Sequence, residues 1–262
     1  MHPLLVLGRS IPVEHHDVLP STQTRARDLL PSSPTTPLLI TASRQTGGLG
    51  RTGRHWESPP GGLWLTLLWP LPTHHEPTLH SLGLRIGLAC HRTISHLLAQ
   101  HAPSTRALLK WPNDILLESP THLAKVCGVL VEIRHHPPHT YALVGVGINL
   151  NNTPHSLPPS LQPHSDTIRA HTSRDIPLLP ARDRLVHELA DALTSERLAP
   201  AQLAEIRAAL WGIGRHITIT LPDHTRVEGT LLGLSDDGRL QLNRDGHPWL
   251  APLSAELAPP AP

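Results

Sequence analysis

The chain has 262 residues, a formal net charge of +1 with histidine neutral, and a hydrophobic content of 39%. That length accommodates one large domain, or a medium domain with a small one. The near-neutral balance excludes a globally basic surface for nucleic acid or anionic membrane, the two cysteines (Cys90 and Cys127) lack metal-type spacing, and no apolar run approaches the roughly 18 residues of a membrane span.

With six Trp, one Tyr and no Phe, the core must be built from Leu, Val, Ile and Ala. Two distant cysteines fit a reduced, cytoplasmic setting, and the opening MHPLLVLGRS turns polar too soon for a secretory signal. Residues 1–20 read as irregular, interrupted by Pro3, Pro12 and Pro20. Ser21 or Thr22 is placed to cap a short helix over residues 25–30, which Pro31 ends. Residues 38–42 read as a buried strand feeding the run RQTGGLGRTGRHW at 44–56. There Gly47, Gly48, Gly50 and Gly53 alternate with Arg44, Arg51 and Arg54. Such a run is either a flexible basic surface loop or an anion cradle, because glycines let several N–H groups converge and arginines add charged forks. It is neither a Walker loop nor a dinucleotide fingerprint.

Residues 63–69 read as a central strand, with Leu63, Leu65, Leu67 and Trp69 on one face and Trp64, Thr66 and Leu68 on the other. Helical spacing over 79–98 predicts the longest helix, with Cys90 on its apolar face. Strands are expected at 108–111, 115–117, 126–133 and 141–150, an antiparallel meander under that helix. Residues 151–180 read as a long surface loop, 182–197 as a helix, and Pro200 as the start of another. Short strands and tight turns then predict a small barrel of SH3-like size. The expected division is residues 1–209 and 210–262, and the expected class is α+β with a mixed or antiparallel sheet.

Three further runs carry chemistry. Lys110-Trp111-Pro112-Asn113-Asp114 is either an ordinary turn or polar groups set at a strand end. Lys125 precedes Val126-Cys127-Gly128, just before a buried strand, where a lysine reads as a solvated strand cap. Gly145 and Gly147, before Asn149, mark a close approach to a strand. Together and in this order, the Gly/Arg loop, KWPND, the lysine before GVLVE, and GVGIN resemble the biotin protein ligases over nearly the whole chain.

The resemblance implies a class II synthetase-like catalytic domain and a C-terminal SH3-like β-barrel. It implies a ligase that makes biotinyl-5′-AMP from biotin and ATP with Mg2+, then biotinylates a lysine of a biotin carboxyl carrier domain of acetyl-CoA carboxylase or a related carboxylase. Arg51 and Lys125 fall at the catalytic positions. Ser21, Thr22, Gln23, Gln45, Leu49, Gly50, Arg51, Trp64, Lys125 and Gly128 fall at biotin-binding positions. Arg54, Trp56, Lys110, Asn113, Asp114 and Asn149 fall at nucleotide positions, with Trp56 also expected beside Trp64 on the pocket wall. No all-protein metal site is expected. Leu49 stands where the family's loop commonly has arginine, Gln23 where it often has Asn, and residues 151–180 lack a tryptophan that caps adenine in some members. The chain begins too near the catalytic region for a winged-helix DNA-binding domain, so a ligase without repressor activity or DNA partner is expected; an exposed sheet edge would permit a homodimer. The competing readings are a lipoate–protein ligase or octanoyltransferase, a non-catalytic carrier-binding protein, and metal binding by the pairs His15-His16, His74-His75 or His135-His136.

Overall fold

The computed structural model describes residues 3–71, 81–99, 101–195 and 197–258. Residues 1–20 form three strands instead of the expected irregular lead: β1 (Leu4–Val6) and β2 (Arg9–Ile11) make a hairpin, and β3 (Val13–Leu19) joins the main sheet. The chain then runs α1 (Thr22–Asp28), β4 (Leu38–Leu49), β5 (His55–Ser58), β6 (Leu63–Leu71) and α2 (Leu82–Ala99). The first residues expected in α2 lie outside the described residues. Next come β7 (Arg106–Lys110), β8 (Asp114–Ser119), β9 (His122–His136) and β10 (His139–Ile148). After α3 (Ile168–Thr172), which shortens the expected loop, follow α4 (Leu178–Thr194) and α5 (Pro200–Ala209). α4 starts before the expected 182 because Pro180 sits in its first turn, where a missing N–H costs nothing.

The main sheet has the order β3-β4-β6-β10-β9-β8-β7, with β5 paired to β4. Only β3 and β4 run parallel in it, so the sheet is mixed and the α+β expectation holds. β11 (His216–Thr220), β12 (Arg226–Leu234), β13 (Leu240–Arg244), β14 (His247–Leu250) and β15 (Glu256–Leu257) form a second, antiparallel sheet in the order β14-β13-β12-β11-β15.

Strand alternation sorts the two faces of the main sheet. Leu65, Leu67 and Trp69 of β6, with Ala142, Val144 and Val146 of β10, join the large core with α2 and α4. Leu68, Tyr141 and Leu143 point the other way, onto Ala26 and Leu30 beside α1. The same face continues along β10 as Gly145 and Gly147, where bulk gives way to a cleft. Trp111 Nε1 donates to Gly238 O, in the turn between β12 and β13, at 3.0 Å, and Trp211 N, before β11, donates to Leu109 O of β7 at 2.9 Å. These bonds tie the end of β7 and the turn after it to the C-terminal segment.

Candidate functional site

Lys125 lies inside β9, not before it, and a β-bulge decides where it points. Ile115 pairs with Cys127 but Leu116 pairs with Lys125, leaving Val126 as the extra residue. Val126, Cys127 and Val129 all join the large core. Regular alternation would put Lys125 on that face too; one inserted residue turns it onto the cleft face. Its Nζ lies 2.7 Å from Asp114 Oδ1 and 5.0 Å from the Trp56 ring centroid. Lys110 Nζ shares the same carboxylate, 3.7 Å from Oδ2. Burial holds the Lys110 ammonium below the usual lysine range, and Lys125 and Arg54 push the same way, against the opposing pull of Asp114 and Glu256.

Glycines shape the floor. Gly128 and Gly147 pair directly across β9 and β10. A Cβ at Gly147 would lie 2.4 Å from Trp56 Nε1, and one at Gly128 would lie 2.9 Å from Trp56 Cζ3, so Trp56 fits only because both positions are bare. Its Nε1 is buried without a partner among the described residues. Trp64, expected on this wall, does not line the cleft. It is buried, donating to Pro59 O at 2.9 Å and packing over Gly62 of the turn before β6.

Beyond Trp56 the cleft ends in buried neutral polar groups. Ser21 caps α1, its Oγ accepting from Gln23 N and Thr24 N. Gln45 Oε1 accepts from Thr22 N at 2.8 Å and Thr22 Oγ1 at 3.1 Å, while Gln45 Nε2 donates to Ser58 Oγ at 2.8 Å. Thr66 Oγ1 lies 2.9 Å from Thr22 Oγ1 and 3.1 Å from Gln23 Oε1. Gln23 Nε2 donates to Glu132 Oε1 at 3.1 Å and Leu143 O at 3.3 Å, which fixes its oxygen toward Thr66. Burial raises the Glu132 carboxyl, but hydrogen bonds from Arg27, Arg134 and Gln23 outweigh that and hold it below the usual carboxylate range.

At the other end the Gly/Arg run is mostly ordered backbone. β4 extends to Leu49, a 3-10 turn spans Arg51–Gly53, and β5 returns. Arg51 NH1 donates to Asn113 Oδ1 at 3.3 Å, and Asn113 Nδ2 donates to Val129 O. Arg54 pairs with Glu256 of β15, whose other oxygen is 3.9 Å from Arg51 Nε. Asn149, 3% exposed, accepts from Asn152 Nδ2 through Oδ1 at 3.1 Å.

These groups line a cavity of about 700 Å³. It brings together every expected site residue except Trp64: Ser21, Thr22, Gln23, Gln45, Leu49, Gly50, Arg51, Arg54, Trp56, Lys110, Asn113, Asp114, Lys125, Gly128 and Asn149. The sequence reading missed Thr66, one threonine in an apolar strand, and Glu256, which only tertiary structure brings to the loop. It also missed Leu157, Leu161, Pro163 and His164, which the 151–180 segment sets on the rim. No group of three or more His, Cys, Asp or Glu able to hold a metal exists among the described residues.

The biotin/lipoate A/B protein ligase family model matches residues 16–149, half of the chain. The chain belongs to that family. A biotin protein ligase C-terminal domain model matches residues 212–251, which carry β11 to β14 of the second sheet. The chain is 29% identical to the biotin–[acetyl-CoA-carboxylase] ligase of Mycobacterium tuberculosis over 212 residues, covering 80% of this chain and 74% of that one. It is 32% identical to the bifunctional ligase/repressor BirA of Bacillus subtilis over 152 residues, 56% of this chain but only 43% of the relative, so it spans less than half of that protein. The fold is similar to that of the Aquifex aeolicus biotin protein ligase in complex with biotin and ATP, with a TM-score of 0.75 and 23% identity over 95% of this chain and 99% of that one. The ligase family thus supplies both sheets of the fold. No helix among the described residues is long and apolar enough to cross a membrane.

Proposed function

We propose that the chain joins biotin to ATP, forming biotinyl-5′-AMP and pyrophosphate, and then transfers the biotinyl group to one lysine of a biotin carboxyl carrier domain of acetyl-CoA carboxylase or a related carboxylase. The observation that carries this reading over lipoate is the buried polar end of the cleft. A cyclic urea has two N–H donors and a carbonyl acceptor; the dithiolane of lipoate has no comparable set. Ser21 Oγ already accepts two backbone N–H bonds, and its own proton finds no acceptor among the described residues, so it suits the ureido carbonyl. Oxygen lone pairs on Thr22 and Gln23 suit the ureido N–H groups. Against lipoate the Ser21 hydroxyl proton would stay unsatisfied, at a cost of about 1–3 kcal/mol, and the ureido N–H groups would find no counterpart.

The apolar ring and chain of biotin would then run past Trp56, which itself covers Gly128 and Gly147, bringing its carboxylate to Lys125. There two anions must meet. Arg51, Arg54, Lys110 and Lys125 supply positive charge where the attacking carboxylate, the α-phosphate and the leaving pyrophosphate converge, the electrostatic stabilisation that such transfers need. The carboxylate oxygen attacks the α-phosphorus, the bond to the β-phosphate oxygen breaks, and pyrophosphate leaves with that electron pair. Asn149 would face the nucleotide base, and Leu161 and His164 would cover it in place of the absent tryptophan. Magnesium would enter with the nucleotide, as an ion held largely by phosphates, with the carboxylates of Asp114 and Glu256 at hand. Residues 1–209 would carry both steps, and residues 210–262 would hold the Gly/Arg loop through Glu256. Two buried free thiols, Cys90 and Cys127, fit work in the reducing cytoplasm.

The test is to incubate the chain with ATP, magnesium and a carrier domain, adding biotin or lipoate. A carrier lysine that gains biotin but not lipoate is the expected result by mass spectrometry. A chain that forms no adenylate with biotin, or one only with lipoate, overturns the reading.

A further inference from the structure

The second chemical step needs a third reactant at the same carbonyl carbon, while an acyl group and a nucleotide already fill the main cleft. We propose that the acceptor lysine enters through a separate cavity behind the Trp111–Asn113 turn. The inference rests on the ligase reading above. This cavity has a volume of about 610 Å³ and opens between the start of α2, the middle of β9 and the segment before β15. Leu84, Pro112, Val129, Val131 and Leu253 give it apolar walls. It shares a wall with the main cleft, since Arg51, Trp111, Pro112, Asn113, Val129 and Leu130 line both. The 3.3 Å hydrogen bond between Arg51 and Asn113 is the polar partition within that wall.

The chemistry of the occupant matches this shape. A lysine side chain is four methylenes ending in an amine, and such stems lie along apolar surface. The amine attacks only when neutral. Arg51 at the inner end, with Lys125 beyond it, disfavours a second ammonium and so favours loss of the first proton to solvent. The neutral nitrogen then attacks the biotinyl carbonyl carbon. The C–N bond forms, the bond from that carbon to the bridging phosphate oxygen breaks, AMP leaves with the electron pair, and the nitrogen sheds its second proton to solvent. The polar partition is suited to opening for this passage, since Arg51 belongs to a loop whose neighbours Gly50 and Gly53 carry no side chain.

Two positions test the route without touching the proposed biotin and nucleotide contacts. A Cβ added at Gly83 meets nothing within 4 Å, and Gly83 lines the cavity. Ser254, exposed on the opposite side, lines it too. Gly83→Trp and Ser254→Trp should each fill the entry. Biotin-dependent ATP–pyrophosphate exchange should stay within about twofold of wild type, as should discharge of the bound adenylate by hydroxylamine, a nucleophile small enough to need no channel. Transfer from the adenylate to the isolated carrier domain should fall at least tenfold, and Gly83→Ala should transfer normally. If Ser254→Trp transfers at the wild-type rate, or loses exchange as steeply as transfer, the route is wrong. A wild-type chain that forms no biotinyl adenylate at all overturns the ligase reading first, and this proposal with it.

Discussion

At the buried end the polar side chains that line the cleft are neutral, with the Glu132 carboxylate set behind Gln23, and their partners come from different elements: Thr22 from α1, Gln45 from β4, Ser58 from β5, Thr66 from β6. At the open end four cations share two carboxylates, Lys110 and Lys125 on Asp114, and Arg51 and Arg54 on Glu256. Apart from the Ser21 hydroxyl proton, the first region is paired without a ligand, because burial leaves its hydrogen bonds no competitor in water. The second is left with excess positive charge that only an incoming anion can balance. Recognition and reaction are thus assigned to parts of the molecule with opposite physical character, and substitutions should separate them.

The largest effect is expected at Lys125. Lys125→Ala removes a cation that the bulge turns into the cleft, where the proposed reaction takes place, and should slow adenylate formation about 10²–10³-fold, the range seen when one such stabilising donor is lost. Calorimetric affinity for biotin should change far less. Equal losses in both would erase the distinction between the two ends. Next is Thr66→Val, which keeps the shape of the buried end and removes one hydroxyl. Biotin binding should weaken by about 1–3 kcal/mol, as expected when buried partners lose a hydrogen bond, while the rate of the chemical step at saturating biotin holds. A selective loss of rate would place Thr66 with the reacting groups instead.

The outline of this arrangement was legible in the sequence and its aiming was not. Four glycines and three arginines in one run left a basic surface loop and an anion cradle both open, and the meander of short apolar strands announced the sheet. The bulge at Val126 left no trace, since a lysine before an apolar run reads the same with or without an extra residue. Strands β1–β3 were hidden because Pro3 and Pro12 interrupt them and because β3, at the sheet edge, has too little burial to impose alternation. Glu256 was invisible for a different reason: its partner Arg54 lies 202 residues earlier, and no local pattern encodes such a pairing.

Acid should reach the two ends differently. The folded-state carboxyl of Glu132 lies below its unreduced value of 4.5, so its stabilising contribution is present above that pH and is lost as pH falls through the lower, folded value. Glu132→Gln should flatten this part of the stability curve below pH 4.5, measured by denaturant midpoints. A curve with unchanged slope would show that the Arg27, Arg134 and Gln23 bonds do not hold this carboxylate in the folded chain. The smallest effect is expected from Glu256→Gln. A half-exposed ion pair contributes about 0–1 kcal/mol, so trypsin cleavage at Arg51 or Arg54 should rise only a few-fold without ligand. Biotin and ATP together should protect both variant and wild type. Cleavage that ignores ligand would mean the loop does not close over the intermediate.

One pairing on the floor of the cleft has a further consequence. Trp56 is one of six tryptophans, yet it alone combines a lysine ammonium 5.0 Å from its ring with a buried, unpartnered indole N–H among the described residues, Trp211 having an arginine there instead. An anion that draws Lys125 away changes the electric field across that ring. The chain therefore carries its own optical gauge: ultraviolet emission from Trp56, isolated by replacing other tryptophans with phenylalanine, should shift as the cleft fills, timing each arrival without any attached dye.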